Sequence, residues 1–424
     1  MLRETKENNN AAVIITAAQN DTPVHKQAFQ SLETYAQKLG AELIVLPIKY
    51  NKKAFSAAVE SADETFAVEV LPYFEPEPFT VHNAVVYSNC HILPTAKYPV
   101  NAAIDLNDGE RYSIVASPKI QQKELPRLQG QSPMTCLTTG AITIPNYLQS
   151  RAGSVAEKSH KIGAILLTGG IATNLEYDKT LGWAYNYQAI VLGDIHAEQL
   201  DGDAFERALN LINLHDIRSV VLHDLFDCLC LNEHERYNDT HNLIYQDRTI
   251  KNDLDCAKYT LERIEAIPSV KEILVVRSNH DDMLNRWLQD ERYNPRHDLK
   301  NIVKYHELQA QRYQYIQERY EEPNMLELAL DYKHARFLDL NTSVKLFGVE
   351  IANHGHKGVN GSRSGLQKTG QKMIIGHSHT SGRIDDFVQV GCTCKLQQGY
   401  NAGGGSTWTQ QHALICSSGR ITLV

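Results

Sequence analysis

Five short apolar runs in this chain end in the same way. "AIVLG" delivers Asp194 and His196, "SVVLH" delivers Asp224, and "ILVVRS" delivers Asn279 and His280. "GVEIAN" then delivers His354, and "MIIG" delivers His377 and His379. An apolar run of that length reads as a strand buried on both faces. In an open α/β sheet, ligand-binding groups collect beyond the carboxyl ends of the strands. Residues so far apart in sequence are therefore expected to converge in space, which calls for an α/β sheet with helical connections.

The expected donor set is two carboxylates, one amide and four imidazoles. That hard-to-borderline mixture suits manganese, iron or zinc better than calcium. Seven donors are too many for one ion. Two divalent ions about 3.5–4 Å apart and sharing one carboxylate would use them all, the arrangement that clamps phosphorus during displacement. Any one motif alone would be unremarkable: a lone GDIH reads as an Asp-capped turn. His215, His223, His356 and His412 have no strand-end context and read as structural histidines. Eight cysteines, two pairs of them as C-x-C (Cys228/Cys230 and Cys392/Cys394), read as reduced structural residues, since the spacing suits neither a disulfide framework nor a zinc site.

The chain has 424 residues and 42% hydrophobic content, enough for two or three domains with real cores. Residues 1–185 read as a smaller α/β N-terminal domain of unknown role. It opens with "AAVIITAA" as a strand and a helix starting at Thr22-Pro23 that carries Val24, Ala28, Leu32 and Leu39 on one stripe. Gly40 stops that helix, and "AELIVLPI" is a second strand. Further strand-like runs are "NAVVYS", "YSIVAS", "GAITIP" and "IGAILLTGG". Residues 186–424 read as the catalytic α/β domain, with Asp203 and Glu206 as a capping box ahead of Phe205, Ala208, Leu209 and Ile212. A polar helical insertion at about 285–340, without strand character, is expected to cap the sheet, with Tyr313 and Tyr320 packing it inward.

In order, GD-x-H (Gly193 to His196), Asp224 after its strand, NHD (Asn279 to Asp281), HG (His354-Gly355) and GHSH (Gly376 to His379) resemble the calcineurin-like metallophosphoesterase superfamily. The resemblance covers about residues 188–424. It implies sheets flanked by helices around a dinuclear centre, with Asp194, His196, Asp224 and His379 on one metal. Asp224, Asn279, His354 and His377 would hold the other, with Asp224 as the bridge. It further implies a metal-bridging hydroxide as nucleophile, Asp224 and His280 as the catalytic pair with His280 as general acid, and Asp227 or Asp281 orienting a histidine. The implied ions are two divalent cations, manganese first, with iron, zinc or magnesium as alternatives. The chain departs from the family pattern where His223 and Ser278 stand in place of glycine, and crowding of the backbone is expected there. "LPTAKYPV", "SPKIQQKELPRLQGQSP" and "TTGAIT" make the whole chain similar to phage-encoded members related to a tailed-phage nuclease that degrades host DNA.

Between Glu350 and Asp385 the chain carries Lys357, Arg363, Lys368, Lys372 and Arg383 and no acid. A basic segment leaving a metal ligand suits phosphodiester contacts, and Lys357, Arg363 and Lys368 are the expected substrate-binding residues. The function expected is a metal-dependent DNA nuclease of phage type. The alternatives are a phosphomonoesterase or small-nucleotide phosphatase, or a DNA-binding or assembly protein with a vestigial metal site. A net charge of −8 and a pI near 6.1 argue against coating nucleic acid through overall charge. No apolar run is long enough to span a membrane and the start lacks a signal peptide. The expected setting is the cytoplasm, that of a bacterial host if phage-encoded, with homo-oligomerisation through the N-terminal domain as a further expectation.

Overall fold

The computed structural model describes residues 3–4, 12–50, 65–107, 109–128, 131, 133–231, 239–357, 366–398, 401 and 403–424. It is a mixed α/β structure with three sheets. The six-stranded sheet runs Arg336–Leu338, Glu272–Val276, Ser219–His223, Tyr187–Val191, Ala413–Cys416 and Ile421–Leu423. Its first four strands are parallel, because helices return the chain between them. Helix Gly202–Leu214 buries Phe205, Ala208, Leu209 and Ile212, and helix Ile250–Glu265 buries Leu254, Ala257, Leu261 and Ile264, on one face of this sheet.

The opposite face carries Ala189, Val191, Val221, Leu274 and Val276. These pack against Val349, Ile351, Ile374, Val388 and Val390, which belong to the C-terminal half of an eleven-stranded sheet. In that half, Val349–Glu350, Met373–Ile375 and Phe387–Gln389 are mutually parallel. Two sheets therefore face each other across a dry core, and both present strand carboxyl ends toward the site.

The other half of the long sheet comes from Phe79–Val81, Ala84–Tyr87, Tyr112–Val115, Met134–Thr138 and Gln121–Leu125. A four-stranded sheet, ordered Ile171–Glu176, Gly163–Thr168, Val13–Gln19 and Glu42–Ile48, packs on it through Val13, Ile15, Ile44, Ile114 and Leu137. Helix Lys26–Leu39 covers the other face of that smaller sheet. The two halves meet in one ladder: Gln121, Gln122 and Lys123 pair antiparallel with Ile384, Arg383 and Gly382. The division expected at 185/186 thus lies within a structure in which early and late strands share a sheet.

Local expectations are corrected in several places. The first helix begins at Lys26, not at Thr22-Pro23, because the His25 imidazole caps it by accepting from the Ala28 N–H; Leu39 is 41% exposed. "GAITIP" forms only isolated bridges at Gly140, Ala141 and Thr143. Asp201, not Asp203, caps the helix that follows the first motif, accepting from the Ala204 N–H at 2.9 Å. The insertion supplies helices Met283–Gln289, Ile302–Arg319 and Met325–Leu330, but it also contains the edge strand Arg336–Leu338. Leu308, Met325 and Leu326 are what anchor it to the helical core, with Trp287, Tyr293 and Tyr305 in mutual ring contact; Tyr313 and Tyr320 are 57% and 91% exposed.

Candidate metal centre

The first two motifs are held in register by an extension of the parallel ladder past the strand ends. Ile195, His196 and Ala197 donate their N–H groups to the carbonyls of His223, Asp224 and Leu225. From the facing sheet, the His377 N–H donates to Asp194 Oδ2 at 2.7 Å, and the Gly376 N–H donates to the His354 carbonyl. Gly376 must be glycine: a Cβ there would lie 2.2 Å from Asp194 Oδ1 and 3.1 Å from His223. These turns also store strain at four positions. His196, Asp224, His377 and His379 all have left-handed backbone, with φ of 44°, 43°, 81° and 57°. Left-handed backbone costs an L-residue about 1–2 kcal/mol each, and such outliers cluster at functional sites.

These turns bring most of the expected donors together. Ligand atoms of His196, Asp224 and His379 lie within 4.8 Å of one another, and so do those of Asp224, His354 and His377. Asp224 belongs to both groups. Asp194 adjoins both, with Oδ2 3.4 Å from His379 Nε2 and Oδ1 3.9 Å from His354 Nδ1. His196 Nε2 is 2.9 Å from His379 Nε2 and 3.5 Å from Asp224 Oδ2. His354 Nε2 is 3.1 Å from Asp224 Oδ2 but lacks hydrogen-bond alignment.

The donor atoms fit a cation. Asp194 Oδ1, Asp224 Oδ1, Asn279 Oδ1, His354 Nε2 and His379 Nδ1 are buried without a hydrogen-bond partner. Orphaned buried polar atoms are costly, and a cluster of lone pairs without donors is what a bound positive charge satisfies. These residues can therefore hold metal.

Asp227 organises the imidazoles. Its Oδ1 accepts from His196 Nδ1 at 2.8 Å and lies 3.0 Å from His280 Nδ1, while its Oδ2 accepts from Gln199 at 2.7 Å. Fixing the proton on His196 Nδ1 leaves the Nε2 lone pair facing the cluster. Asp281 plays a different part from the one expected. It accepts from the Phe226 and Ser278 N–H groups and so ties two site loops together, while Ser278 Oγ accepts from the Asp281 N–H rather than crowding the turn.

Electrostatics follows from that packing. Burial, and then the neighbouring Asp224, raise Asp194 well above the carboxylate range. Burial would raise Asp224 too, but His354, His280 and His196 outweigh it and hold it well below. Burial works against a charged His280, yet Asp224 and the Asp227 contact raise it to about 9. Burial, with His196 beside it, lowers His379 well below the usual imidazole range, and burial with His354 lowers His377. Neutral imidazoles are the form that binds metal.

Two histidines expected to be structural stand inside this cluster. His223 Nδ1 is 3.4 Å from His354 Nδ1, and the His356 ring lies 5.4 Å from that of His354 and 6.2 Å from that of His377. Both carry buried ring nitrogens without partners. His412 and His215 are structural: His412 Nδ1 accepts from the Gly193 N–H, and His215 packs edge-on against Tyr187. Glu198 accepts from the Asp227 and Cys228 N–H groups, and Trp408 packs edge-on against His379 at 4.0 Å; neither carried a sequence signal. Of the basic residues, Lys357 and Lys368 are exposed and Arg363 lies outside the described residues. Arg383 is not a substrate contact, being 2% exposed and bonded to Glu176 and the Ile421 carbonyl.

A mixed α/β scaffold with a buried histidine–aspartate cluster able to hold metal is the class that fold and site define. No protein-family model matches the chain. It is 30% identical to protein A1 of Escherichia phage T5 over 458 aligned positions, which cover 97% of this chain and 81% of the T5 protein. The chain belongs to the family of that phage protein. Among the described residues no helix is long and apolar enough to cross a membrane.

Proposed function

We propose that the chain is a metal-dependent phosphodiesterase of the calcineurin-like type, acting on DNA with two divalent cations on either side of Asp224. The observation that carries the reading is the sharing of Asp224 between two three-residue donor groups, in which Asp224 Oδ1, His354 Nε2 and His379 Nδ1 are buried without a hydrogen-bond partner. Asp194, His196, Asp224 and His379 would hold one cation, and Asp224, Asn279, His354 and His377 the other. Manganese, iron or zinc would suit this mixture of oxygen and imidazole donors better than calcium, with manganese the first to try. Bound there, such ions supply Lewis acidity toward phosphate oxygen and water.

The chain's own residues do the rest. His280 sits beside the cluster with its side chain 15% exposed and Nδ1 held 3.0 Å from Asp227, so Nε2 would be the nitrogen to give a leaving oxygen its proton. Asp227 positions both His196 and His280. Lys357 and Lys368, on the segment after His354, suit a polyanionic backbone because the stretch from 351 to 384 contains no acid to offset them.

Incubation of the purified chain with plasmid, linear and single-stranded DNA plus manganese is expected to give cleavage. Asp224→Ala should abolish it together with metal binding. His280→Ala should lower the rate about 10²- to 10⁴-fold with metal retained. Intact DNA under manganese, magnesium, iron and zinc alike would overturn the reading, and phosphate release from nucleotides with DNA untouched would select a phosphomonoesterase.

A further inference from the structure

We propose that Cys392, Cys394 and His379 form a soft-cation site adjoining the Asp224 centre and sharing His379 with it, binding zinc or cadmium through two sulfurs and one imidazole nitrogen. The inference does not rest on hydrolysis of any substrate. Ligand atoms of the three residues lie within 4.8 Å of one another, and all three residues are buried. The donors are borderline to soft, and two of them are sulfur, whereas the groups around Asp224 offer only carboxylate and imidazole, so the two places favour different metals.

Backbone geometry builds the site. The chain bends at Thr393, and both ends of C-x-C are clamped on either side of that bend. Asp194 bridges Cys392 and Leu200 bridges Cys394. Between them, the Thr393 N–H donates to the Asp194 carbonyl and its hydroxyl donates to the Gly193 carbonyl, which fixes the bend. Gly193 allows the close approach: a Cβ there would lie 2.7 Å from the Cys392 backbone. The sulfurs are thus held in place before any ion arrives. His379 brings a buried ring nitrogen, Nδ1, that has no hydrogen-bond partner. Cys228 and Cys230, the other C-x-C pair, belong to no such group among the described residues and instead adjoin Glu198 and Asp253.

Binding is written as cation plus two thiols giving a dithiolate complex and two protons released to solvent. Because His379 also faces His196 and Asp224, a soft ion here would draw an imidazole away from the larger centre.

The test is cadmium loading of the metal-free full chain to saturation, with excess removed, read by thiolate-to-cadmium absorption in the ultraviolet and by X-ray absorption at the metal. The wild-type chain is expected to show two sulfur neighbours on one cadmium per chain. Cys392→Ser with Cys394→Ser should remove that signal, and Cys228→Ser with Cys230→Ser should keep it. A wild-type first shell of oxygen and nitrogen only, or a sulfur signal lost with the 228/230 pair, overturns the proposal. Should the 392/394 variant not fold, the wild-type spectrum and the 228/230 variant decide between the same two outcomes. DNA cleavage with manganese is a separate assay, so its failure leaves this result standing.

Discussion

Asp227 shows how much of the site depends on a side chain outside the donor groups around Asp224. It touches His196 and His280 at once, so its charge both fixes one imidazole's tautomer and holds the other protonated. Asp227→Asn keeps the shape and removes the charge. Manganese affinity by calorimetry is expected to fall about 10- to 100-fold, the usual effect of losing a partner behind a metal-bound histidine. In the metal-free chain the His280 imidazole, followed by NMR, should titrate below about 9, because one of the two carboxylates that raise it has lost its charge. An unchanged titration would mean that Asp227 is only a packing residue. Most of the residues that the structure brings together around Asp224 were legible, since an apolar run ending in Asp or His is a local pattern. It did not disclose His223 and His356 as neighbours of the centre, although each sits within two residues of a recognised donor. What places them there is the pairing of the two sheets, which no local pattern carries.

Strands and helices with a strong period were legible, and those whose residues answer to tertiary partners were not. Phe205, Ala208, Leu209 and Ile212 announce their helix by spacing alone. Strand Gln121–Leu125 has no apolar alternation, because its polar side chains are buried in a network. Glu124 accepts from Gln122, Thr135 and Ser381, and Ser381 stands two residues beyond His379. Burial raises Glu124 to about 7 despite those hydrogen bonds, so the folded chain keeps a proton that the unfolded chain releases from about pH 4.5 upward. Stability should therefore fall as pH rises from about 4.5 to 7 and stay lowered above that, by on the order of 3 kcal/mol at most. Glu124→Gln resembles the protonated acid and should flatten that part of the profile, raising the melting temperature at pH 8 relative to wild type while leaving it little changed at pH 4.5. Equal pH dependence in both proteins would show that Glu124 is already ionised in the fold.

At the scale of the whole molecule, the ladder between Gln121–Lys123 and Gly382–Ile384 joins the early and late parts of the chain in one sheet, which predicts that they fold together. Charge reinforces it across the same seam. Glu176, from the four-stranded sheet, takes Arg383 at 2.9 Å and Lys161 at 3.1 Å, and Lys161 also reaches Asp386 at 2.9 Å. Arg420 donates to the carbonyls of Glu176 and Gly182. Burial alone would raise Glu176, but Arg383 and Lys161 outweigh it and hold the carboxyl at about 2. Its contribution is thus present above about pH 4.5 and is lost as pH falls toward 2. Glu176→Gln strands a buried guanidinium, which costs about 3–5 kcal/mol when one partner of a buried pair is removed. The expected outcome is a lower melting temperature at pH 7, with the loss shrinking in acid, and a single calorimetric transition for both proteins, since neither half can melt without exposing the shared sheet. Residues 186–424 expressed alone would leave Gly382–Ile384 as an open edge and Arg383 without Glu176, and should not give a cooperatively folded, manganese-binding protein. A folded fragment that bound manganese like the full chain would show that the 185/186 division is a true domain boundary and that the seam described here is dispensable.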